Sequence, residues 1–405
     1  MWTTTSHPYS FWTRYLEVFD QVDVLARVLD VKEAEPQWHQ ANGAGVNFLP
    51  VPYFFGPHQY ARQILKVRKA IAAGAGNSEA VIMRVPSLVG QTVAATLRRS
   101  GHPFGLEVVG DPYDVFAPGA GIKHPLRPFF RHWFSSNLRR QCLEAKAVAY
   151  VTEQALQRRY PANTSMTGVS DVVLPESAFT TSYSSVELNS KQILTGERKS
   201  VTHNRFVLVF VGSLEQLYKA PDVVIEATAK AIAKGCKLQL RIVGEGRYRE
   251  ALEQLARSLG IGEYCEFLGQ VPSGAAVQEV LDSSDMFVLP SHVEGLPRAM
   301  IEAMARGLPC IGSQVGGIPE LLEPEFIVPS GNAEALAAKI VEMVANPRQR
   351  KAASERNLSE ARKYCDELLR TKRVQFWRKV QSFTAEWLRT RNSGSLSRDT
   401  AASEI

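Results

Sequence analysis

Short apolar runs rich in β-branched residues alternate along this chain with longer segments whose apolar positions recur every three or four residues. Runs of the first kind predict buried strands, and segments of the second kind predict amphipathic helices. The alternation predicts an α/β protein whose parallel sheets are built from strand-helix-strand units. In the first half, the predicted strands cover residues 22–28, 46–51, 80–85, 106–109, 147–151 and 172–174.

A second strand-helix series follows a stretch without apolar periodicity. Residues 175–204 are rich in Ser, Thr, Lys and Asn, a composition typical of a linker or insertion. The later predicted strands cover residues 206–211, 238–243, 265–268, 286–289, 310–311 and 326–328. Helices are predicted at residues 9–19, 59–73, 89–99, 333–345 and, in charged segments, between 349 and 388.

Chain length and this break in pattern predict two domains. A chain of 405 residues exceeds the usual size of one hydrophobic core, and 45% hydrophobic residues can fill two. We predict a first domain over residues 1–180, a linker over 181–204 and a second domain over 205–365. A helix over 366–390 is predicted to cross back to the first domain, and the polar residues 391–405 are predicted to be disordered.

Composition narrows the expected location and partners. Five cysteines without a Cys-x-x-Cys pair predict reduced thiols, as in a cytoplasmic protein. No apolar run reaches the roughly 18 residues that span a bilayer, and the polar start is not typical of a signal peptide. A net charge of +6 suits a partner that carries phosphates, although the dispersed basic residues and the lack of a recognition motif argue against nucleic acid.

The segment 290–305 carries the most informative motif. It follows a predicted buried strand and opens a helix, and Pro297 fits the first helical turn because its missing N–H costs nothing there. The free backbone N–H groups between Gly295 and Arg298 would then face a ligand above the end of the strand. A helix N-terminus favours an anion, so the segment predicts a diphosphate site.

Two glutamates flank this predicted anion site. Glu294 precedes it, and Glu302 lies one turn beyond Arg298. Carboxylates beside a diphosphate would repel it unless they accept hydrogen bonds from hydroxyls, and a nucleotide sugar supplies hydroxyls on its sugar and on its ribose. The alternative is that both are ordinary surface carboxylates, one of them capping a helix.

Other strand ends favour the ligand interpretation. Turns with glycine follow three more predicted strands, at residues 212–214, 244–246 and 316–320. The carboxyl ends of parallel strands meet at one sheet edge, where open α/β folds bind ligands. Lys219 follows the first of these turns, and we expect it to neutralise the leaving diphosphate.

With these motifs the second half resembles glycosyltransferase family 4, whose members are retaining enzymes with the GT-B fold of two Rossmann-like, doubly wound domains and a cleft between them. The resemblance covers residues 206–343 and includes the Glu-x7-Glu spacing from Glu294 to Glu302. It implies that Glu294 contacts the transferred sugar, Glu302 the ribose and Lys219 the diphosphate. The donor-binding residues that it implies are Gly212, Ser213, Lys219, Gly244, Glu245, Glu294, Gly295, Leu296, Pro297, Arg298 and Glu302.

Some positions depart from the family pattern. Ser213 stands where many members carry a phosphate-binding arginine, for which Arg298 would compensate, and Ala220 stands where glycine usually follows the lysine. In the more loosely similar first half, Asp111 falls at a strand end where the family often places a residue near the acceptor. Its expected role is catalytic or acceptor-binding, with a turn or helix cap as the alternative.

The start of the chain is the largest departure. Family members begin with a strand and a glycine-rich turn before the helix at 9–19, and this sequence lacks that strand. The missing strand would be central in a doubly wound sheet. We expect either that the true start lies upstream or that the chain is a truncated, inactive copy.

The resemblance implies transfer of a hexose-type sugar from a nucleoside diphosphate to an acceptor hydroxyl with retention, in exopolysaccharide, lipopolysaccharide or glycolipid synthesis. No bound cofactor is expected and no metal is required, because Lys219 and the helix N-terminus supply positive charge. The acceptor is expected to be a saccharide or a lipid-linked saccharide. Aromatic and cationic residues at 127–140 suggest contact with the inner face of a membrane, or else a helix with a buried aromatic side.

Three other functions remain alternatives at this stage. One is a non-catalytic or truncated subunit that only binds a nucleotide sugar. The others, on the same scaffold, are a sugar-nucleotide epimerase and a phosphorylase, the latter needing a pyridoxal lysine. A nicotinamide dehydrogenase is disfavoured because Arg249 follows Gly244-x-Gly246 where the fingerprint requires a small residue.

Overall fold

Six parallel strands form the sheet of the second half. A computed structural model describes residues 1–3, 7–35, 38–75, 80–117, 124–179 and 205–402. The strand order of this sheet is β11-β10-β9-β12-β13-β14, with β9 at the centre. Its strands are β9 (Phe206–Val211), β10 (Leu238–Val243), β11 (Cys265–Gly269), β12 (Met286–Leu289), β13 (Cys310–Ser313) and β14 (Ile327–Val328).

Both faces of this sheet are covered by helices, which explains its continuous apolar strands. β9 reads Phe-Val-Leu-Val-Phe-Val, and its first five residues are buried. Such runs are typical of parallel strands packed on both sides. The predictions at 206–211, 238–243 and 286–289 are confirmed to the residue. The helices are α7 (Pro221–Ala233), α8 (Arg249–Ser258), α9 (Ala275–Asp282), α10 (Arg298–Ala305), α11 (Ile318–Leu321), α12 (Ala333–Ala345) and α13 (Pro347–Ala361).

The first half holds a four-stranded parallel sheet in the order β5-β6-β7-β8, and a separate parallel pair, β2-β4. A short antiparallel pair, β1-β3, lies apart from both. The strands are β1 (Trp2–Thr3), β2 (Val22–Val28), β3 (His39–Gln40), β4 (Val46–Pro52), β5 (Ile82–Val85), β6 (Gly105–Val108), β7 (Ala147–Tyr150) and β8 (Ser165–Gly168).

Helices of the first half pack on both faces of these strands. The predicted helix at 9–19 is shorter than expected, because α1 continues as a 3-10 turn over Thr13–Glu17. The helices are α1 (Tyr9–Trp12), α2 (Gly56–Ala75), α3 (Leu88–Ser100), α4 (Pro112–Val115), α5 (Arg127–Glu144) and α6 (Ala155–Arg159).

The strand predicted at 172–174 is wrong. Val172 and Leu174 are buried, but their backbone accepts hydrogen bonds from the C-terminal helix instead of a neighbouring strand. Asp366 N–H donates to the Leu174 carbonyl at 3.0 Å. The edge strand is β8, whose sequence Ser-Met-Thr-Gly has no apolar run.

The last helix, α14 (Asp366–Ala402), leaves the second half and packs against β7, β8 and the turn at Thr13–Glu17. Trp377, fully buried, lies on this contact and donates to Glu107 at 3.2 Å. The helix continues through residues 391–402, where disorder was predicted, because no proline interrupts it. None of the helices in the described ranges combines the length and apolar character that crossing a bilayer requires.

Candidate active site

The loop after β12 is held in place by its neighbours at the carboxyl edge of the sheet. The Ser291 carbonyl accepts hydrogen bonds from the hydroxyls of Ser313 at 2.6 Å and Ser330 at 3.0 Å. His292 N–H donates to the Tyr218 carbonyl at 2.7 Å. These bonds connect the ends of β12 and β13 to the 3-10 turn Leu217–Lys219. The segments that contain Lys219 and Glu294, both predicted to bind the sugar donor, therefore meet.

Lys219 and Glu294 form an ion pair at the centre of this edge. The Lys219 Nζ lies 3.2 Å from Glu294 Oε1, and the side chains are 16% and 9% exposed. Ser291 Oγ donates to the same carboxylate oxygen at 3.0 Å. The structure thus brings together a cation and a carboxylate that are 75 positions apart in the sequence.

The residue after this lysine adopts a conformation that usually requires glycine. Ala220 has φ +56°, in the left-handed region, which costs an L-residue roughly 1–2 kcal/mol. Pro221 then starts α7. The turn aims Lys219 across the sheet edge, and Gly212 leaves room for it, because a Cβ at Gly212 would lie 2.5 Å from Lys219 Cδ.

Glu302 is the second carboxylate of the site and is half-buried on α10. Burial raises its pKa, while the positive charges of Arg298 and Lys219 oppose that shift. Lys219 therefore acts electrostatically on both glutamates. Arg298 itself is exposed at the first position of α10.

The backbone N–H groups predicted to bind phosphate form no hydrogen bonds within the described part of the protein. In the described part of the chain, the N–H groups of Gly295, Leu296 and Arg298 donate to no protein acceptor. Pro297 is the N-cap of α10 and supplies no capping side chain. The positive end of this helix and three N–H groups therefore remain available beside the two glutamates.

Glycines allow the loops of the two halves to approach closely. Gly295 would place a Cβ 3.2 Å from the carbonyl oxygen of Val109, which follows β6 of the first half. Gly316 has φ +52°, and a Cβ there would overlap the Glu294 carbonyl. Gly317 N–H donates to the Gly295 carbonyl at 2.6 Å. Gly244, with φ +144°, would likewise overlap the Gly212 carbonyl.

Two predicted donor residues lie apart from this cluster. Ser213 is exposed, and its hydroxyl accepts a hydrogen bond from Glu215 N–H at 3.2 Å. Glu245 is also exposed and pairs with Arg249 at 2.7 Å. Both remain at the same sheet edge, but neither contacts Lys219 or Glu294 among the described residues.

Asp111 is buried and makes structural bonds in the first half. Its carboxylate caps α4 by accepting from Tyr113 N–H at 2.8 Å. It also accepts from the Tyr160 hydroxyl at 2.6 Å and pairs with Arg159. The structure does not bring Asp111 into contact with the glutamates of the donor edge.

Sequence reasoning missed a contact that joins the two halves. The Glu320 carboxylate accepts hydrogen bonds from the N–H groups of Glu153 at 2.7 Å, Gln154 at 3.0 Å and Ala155 at 2.5 Å. It therefore caps the N-terminus of α6 from the other half. The partners lie 165 to 167 positions away, so no local pattern identifies them.

A largely buried charged network lies in the first half. Arg84 pairs with Glu107 at 2.5 Å and with Asp171 at 2.7 Å. Tyr15 donates to Glu107, and burial together with Arg84 lowers the pKa of His7 to about 4. No group of three or more His, Cys, Asp or Glu in the described ranges is arranged as metal ligands.

Known proteins with similar sequences include glycosyltransferases. The family model of glycosyl transferases group 1 matches residues 195–359. Protein CapJ of Staphylococcus aureus is 26% identical over 320 residues, covering 79% of this chain and 76% of CapJ. A putative colanic acid biosynthesis glycosyltransferase, WcaL of Salmonella typhimurium, is 37% identical over 133 residues, covering 31% of this chain and 32% of WcaL.

Solved structures share the fold across most of the chain. Sucrose-phosphate synthase from Thermosynechococcus elongatus has a TM-score of 0.68 at 19% identity, covering 93% of both chains. Anabaena HepE in complex with UDP and glucose has a TM-score of 0.55 at 18% identity, covering 85% of this chain and 86% of HepE. Residues 195–359 thus match the glycosyl transferases group 1, and the fold of the chain is that of the GT-B glycosyltransferases.

Proposed function

We propose that this glycosyltransferase is a retaining enzyme of family 4 that uses a nucleoside-diphosphate sugar as donor. The observation that carries the proposal is the set of free N–H groups of Gly295, Leu296 and Arg298, which lies between Glu294 and Glu302. HepE, of similar fold, is described in complex with UDP and glucose, which supports a nucleotide-sugar donor here.

Each site group has a part in donor binding. The N–H groups at the start of α10 donate to the two phosphates, and Arg298 adds positive charge beside them. Glu294 accepts hydrogen bonds from hydroxyls of the transferred sugar, and Glu302 from those of the ribose. Ionised Glu302 accepts such bonds best. The positive charges of Arg298 and Lys219 favour this ionised form.

Lys219 serves the bond-breaking step. The anomeric carbon–oxygen bond breaks as negative charge develops on the leaving diphosphate, and the acceptor hydroxyl forms the new bond on the same face. The departing phosphate takes the acceptor proton, so protons and charge balance. The Lys219 ammonium, held at 3.2 Å from Glu294, stabilises that developing charge.

The first half binds the acceptor, and the outer face of α5 contacts a membrane. The name of WcaL supports a role in polysaccharide synthesis, with a saccharide or lipid-linked saccharide as acceptor. Leu126, Phe129 and Trp133 are 54%, 59% and 38% exposed and follow helical spacing on one face. Arg140 is exposed two turns beyond Trp133, so we propose that this face contacts the cytoplasmic side of an anionic membrane.

The test combines donor binding with turnover. A panel of nucleoside-diphosphate sugars is titrated by calorimetry, and product configuration is read by NMR with the preferred donor. Glu294→Gln is expected to abolish transfer, whereas Glu334→Gln, at a 60% exposed side chain of the second half, keeps wild-type rates. Transfer that survives Glu294→Gln contradicts the site. An inverted product contradicts family 4, and donor binding without any turnover favours the non-catalytic subunit.

A further inference from the structure

Two buried arginines, one in the first half and one on the last helix, each keep an unused N–H donor. Among the described residues, the Nε atoms of Arg14 and Arg373 are buried and have no hydrogen-bond partner. Arg14 lies on the turn Thr13–Glu17, and Arg373 lies on α14. Their side chains are 15% and 9% exposed. Buried donors in proteins are almost always paired, so each Nε needs an acceptor.

Both arginine side chains line the same small cavity. Its volume is about 20 Å³, and roughly 10–15 Å³ is enough to hold one water molecule. Arg84, Glu107 and Asp171 are the other charged groups of its wall. The rest of the wall is mostly apolar and includes residues of β6, β7 and α14. The cavity therefore has room for one ligand of about the size of a water molecule.

The two carboxylates of the wall are occupied by other donors. Glu107 accepts hydrogen bonds from Tyr15 at 2.8 Å and from Trp377 at 3.2 Å. Arg84 donates to Glu107 at 2.5 Å and to Asp171 at 2.7 Å. Neither carboxylate accepts from the two unpaired Nε atoms.

The remaining contacts of the two arginines hold their guanidinium groups in place. Arg14 Nη2 donates to Asp171 at 3.3 Å. Arg373 Nη2 donates to the carbonyls of Ser170 at 3.2 Å and Val172 at 3.4 Å. Because these bonds engage the Nη atoms, each Nε–H stays available for a ligand in the cavity.

The wall of the cavity carries more positive than negative charge. Three guanidinium groups face two carboxylates. Asp366 lies 3.5 Å from Arg373 Nη1, but its side chain is 46% exposed, so water screens this pair. Burial lowers the pKa of Arg373, and the positive charge of Arg14 lowers it further. His7, with a pKa of about 4, is neutral at pH 7 and adds no charge. The two arginines therefore repel each other.

We propose that this cavity binds a small monovalent anion of the size of chloride, which accepts hydrogen bonds from Arg14 Nε and Arg373 Nε. An anion supplies both the missing acceptor and the missing negative charge, whereas a water molecule supplies only the acceptor. Since one arginine lies on the turn Thr13–Glu17 and the other on α14, the bound anion stabilises the contact of the last helix with the first half. The proposal is independent of the donor-site assignment.

Thermal unfolding of the full chain in sodium chloride tests this proposal. The ionic strength is held constant with sodium gluconate, whose anion is too large for the cavity. Tm is expected to rise saturably, by about 3 °C when chloride reaches about 100 times its Kd. Bromide is expected to act like chloride. An equal Tm at every chloride concentration assigns the cavity to water and overturns the proposal.

Substitution of either arginine locates the chloride effect. Arg14→Met and Arg373→Met each remove one Nε donor and one positive charge, so both are expected to lose the chloride-dependent rise in Tm. Arg370→Met is the matched control on α14, because its side chain is 63% exposed, and it is expected to keep the rise. A rise that persists in both cavity variants contradicts the site.

Bromide-soaked crystals of the wild type cover the case in which these variants fail to fold. Anomalous diffraction is expected to show a bromide peak between the Nε atoms of Arg14 and Arg373. The absence of a peak overturns the proposal. A peak in a protein whose Tm does not respond to chloride indicates an adventitious ion only, and this outcome overturns the proposal as well.

Discussion

Replacing Lys219 by methionine removes one charge from the donor edge while keeping an unbranched side chain beside Gly212. The ammonium lies 3.2 Å from Glu294 and is 16% exposed, so water screens it only partly. Loss of one donor that stabilises developing negative charge typically lowers kcat about 100- to 1,000-fold. We expect a decrease of that size for Lys219→Met at saturating donor.

The same change also affects donor affinity and stability. The diphosphate loses a charge-assisted contact, so the donor Kd should rise about tenfold, which corresponds to about 1.4 kcal/mol. Glu294 keeps only its bond from Ser291, so the free energy of unfolding should fall by about 1 kcal/mol. That loss lowers the Tm by about 2–4 °C.

The assay measures kcat and the donor Kd for the wild type, Lys219→Met and Lys230→Met. Lys230 pairs with Glu334 on the surface, and its side chain is 46% exposed, so its removal should change neither quantity. A kcat for Lys219→Met within about threefold of the wild type would refute the assigned role. A large loss that is fully explained by unfolding, seen as a Tm below the assay temperature, would refute it as well.

Four further changes test other parts of the structure. Burial raises the pKa of Glu302 in the folded state above its value in the unfolded state. The free energy of unfolding therefore falls as pH rises through these two values and Glu302 ionises. Glu302→Gln should therefore raise Tm at pH 7 but not below about pH 4, while weakening donor binding; equal Tm differences at both values would contradict this. Gly316→Ala should lower the free energy of unfolding, measured in urea, by about 2 kcal/mol or more. The reason is that φ is +52° and the added Cβ would overlap the Glu294 carbonyl. Glu320→Ala removes the cap of α6, so amide hydrogen exchange at residues 153–155 should accelerate. The free energy of unfolding should fall by about 1 kcal/mol. Unchanged exchange would argue against the cap. Replacing Phe129 and Trp133 by serine should reduce flotation with anionic liposomes while leaving donor binding unchanged.

Much of the fold was predictable from local pattern. β9 is a run of apolar residues, β2 is mostly apolar apart from Asp23 and Arg27, and the bounds of both strands agree with the prediction. The failure at 172–174 has a physical reason: apolar residues indicate burial, and burial does not require a strand partner. There the carbonyl of Leu174 is satisfied by Asp366, almost two hundred positions later in the sequence.

In the candidate site, too, residues close together in the sequence were predictable, and contacts between distant residues were not. Glu294, Gly295 and Glu302 share one short segment, so their spacing predicts a common site, and the structure places Lys219 against Glu294. The hydrogen bonds that hold Asp111 join groups 48 and 49 positions apart, beyond the reach of periodicity. Residue type alone could not distinguish a buried cap from a catalytic carboxylate at that position.

A crystal structure of the protein with its nucleoside-diphosphate donor would show whether the start of α10 binds the diphosphate. We expect phosphate oxygens about 3 Å from the N–H groups of Gly295 and Leu296, with Lys219 beside the diphosphate. Glu294 and Glu302 should accept hydrogen bonds from donor hydroxyls on either side. A donor bound elsewhere in the cleft, or a diphosphate that contacts none of these N–H groups, would rule out the assigned donor site.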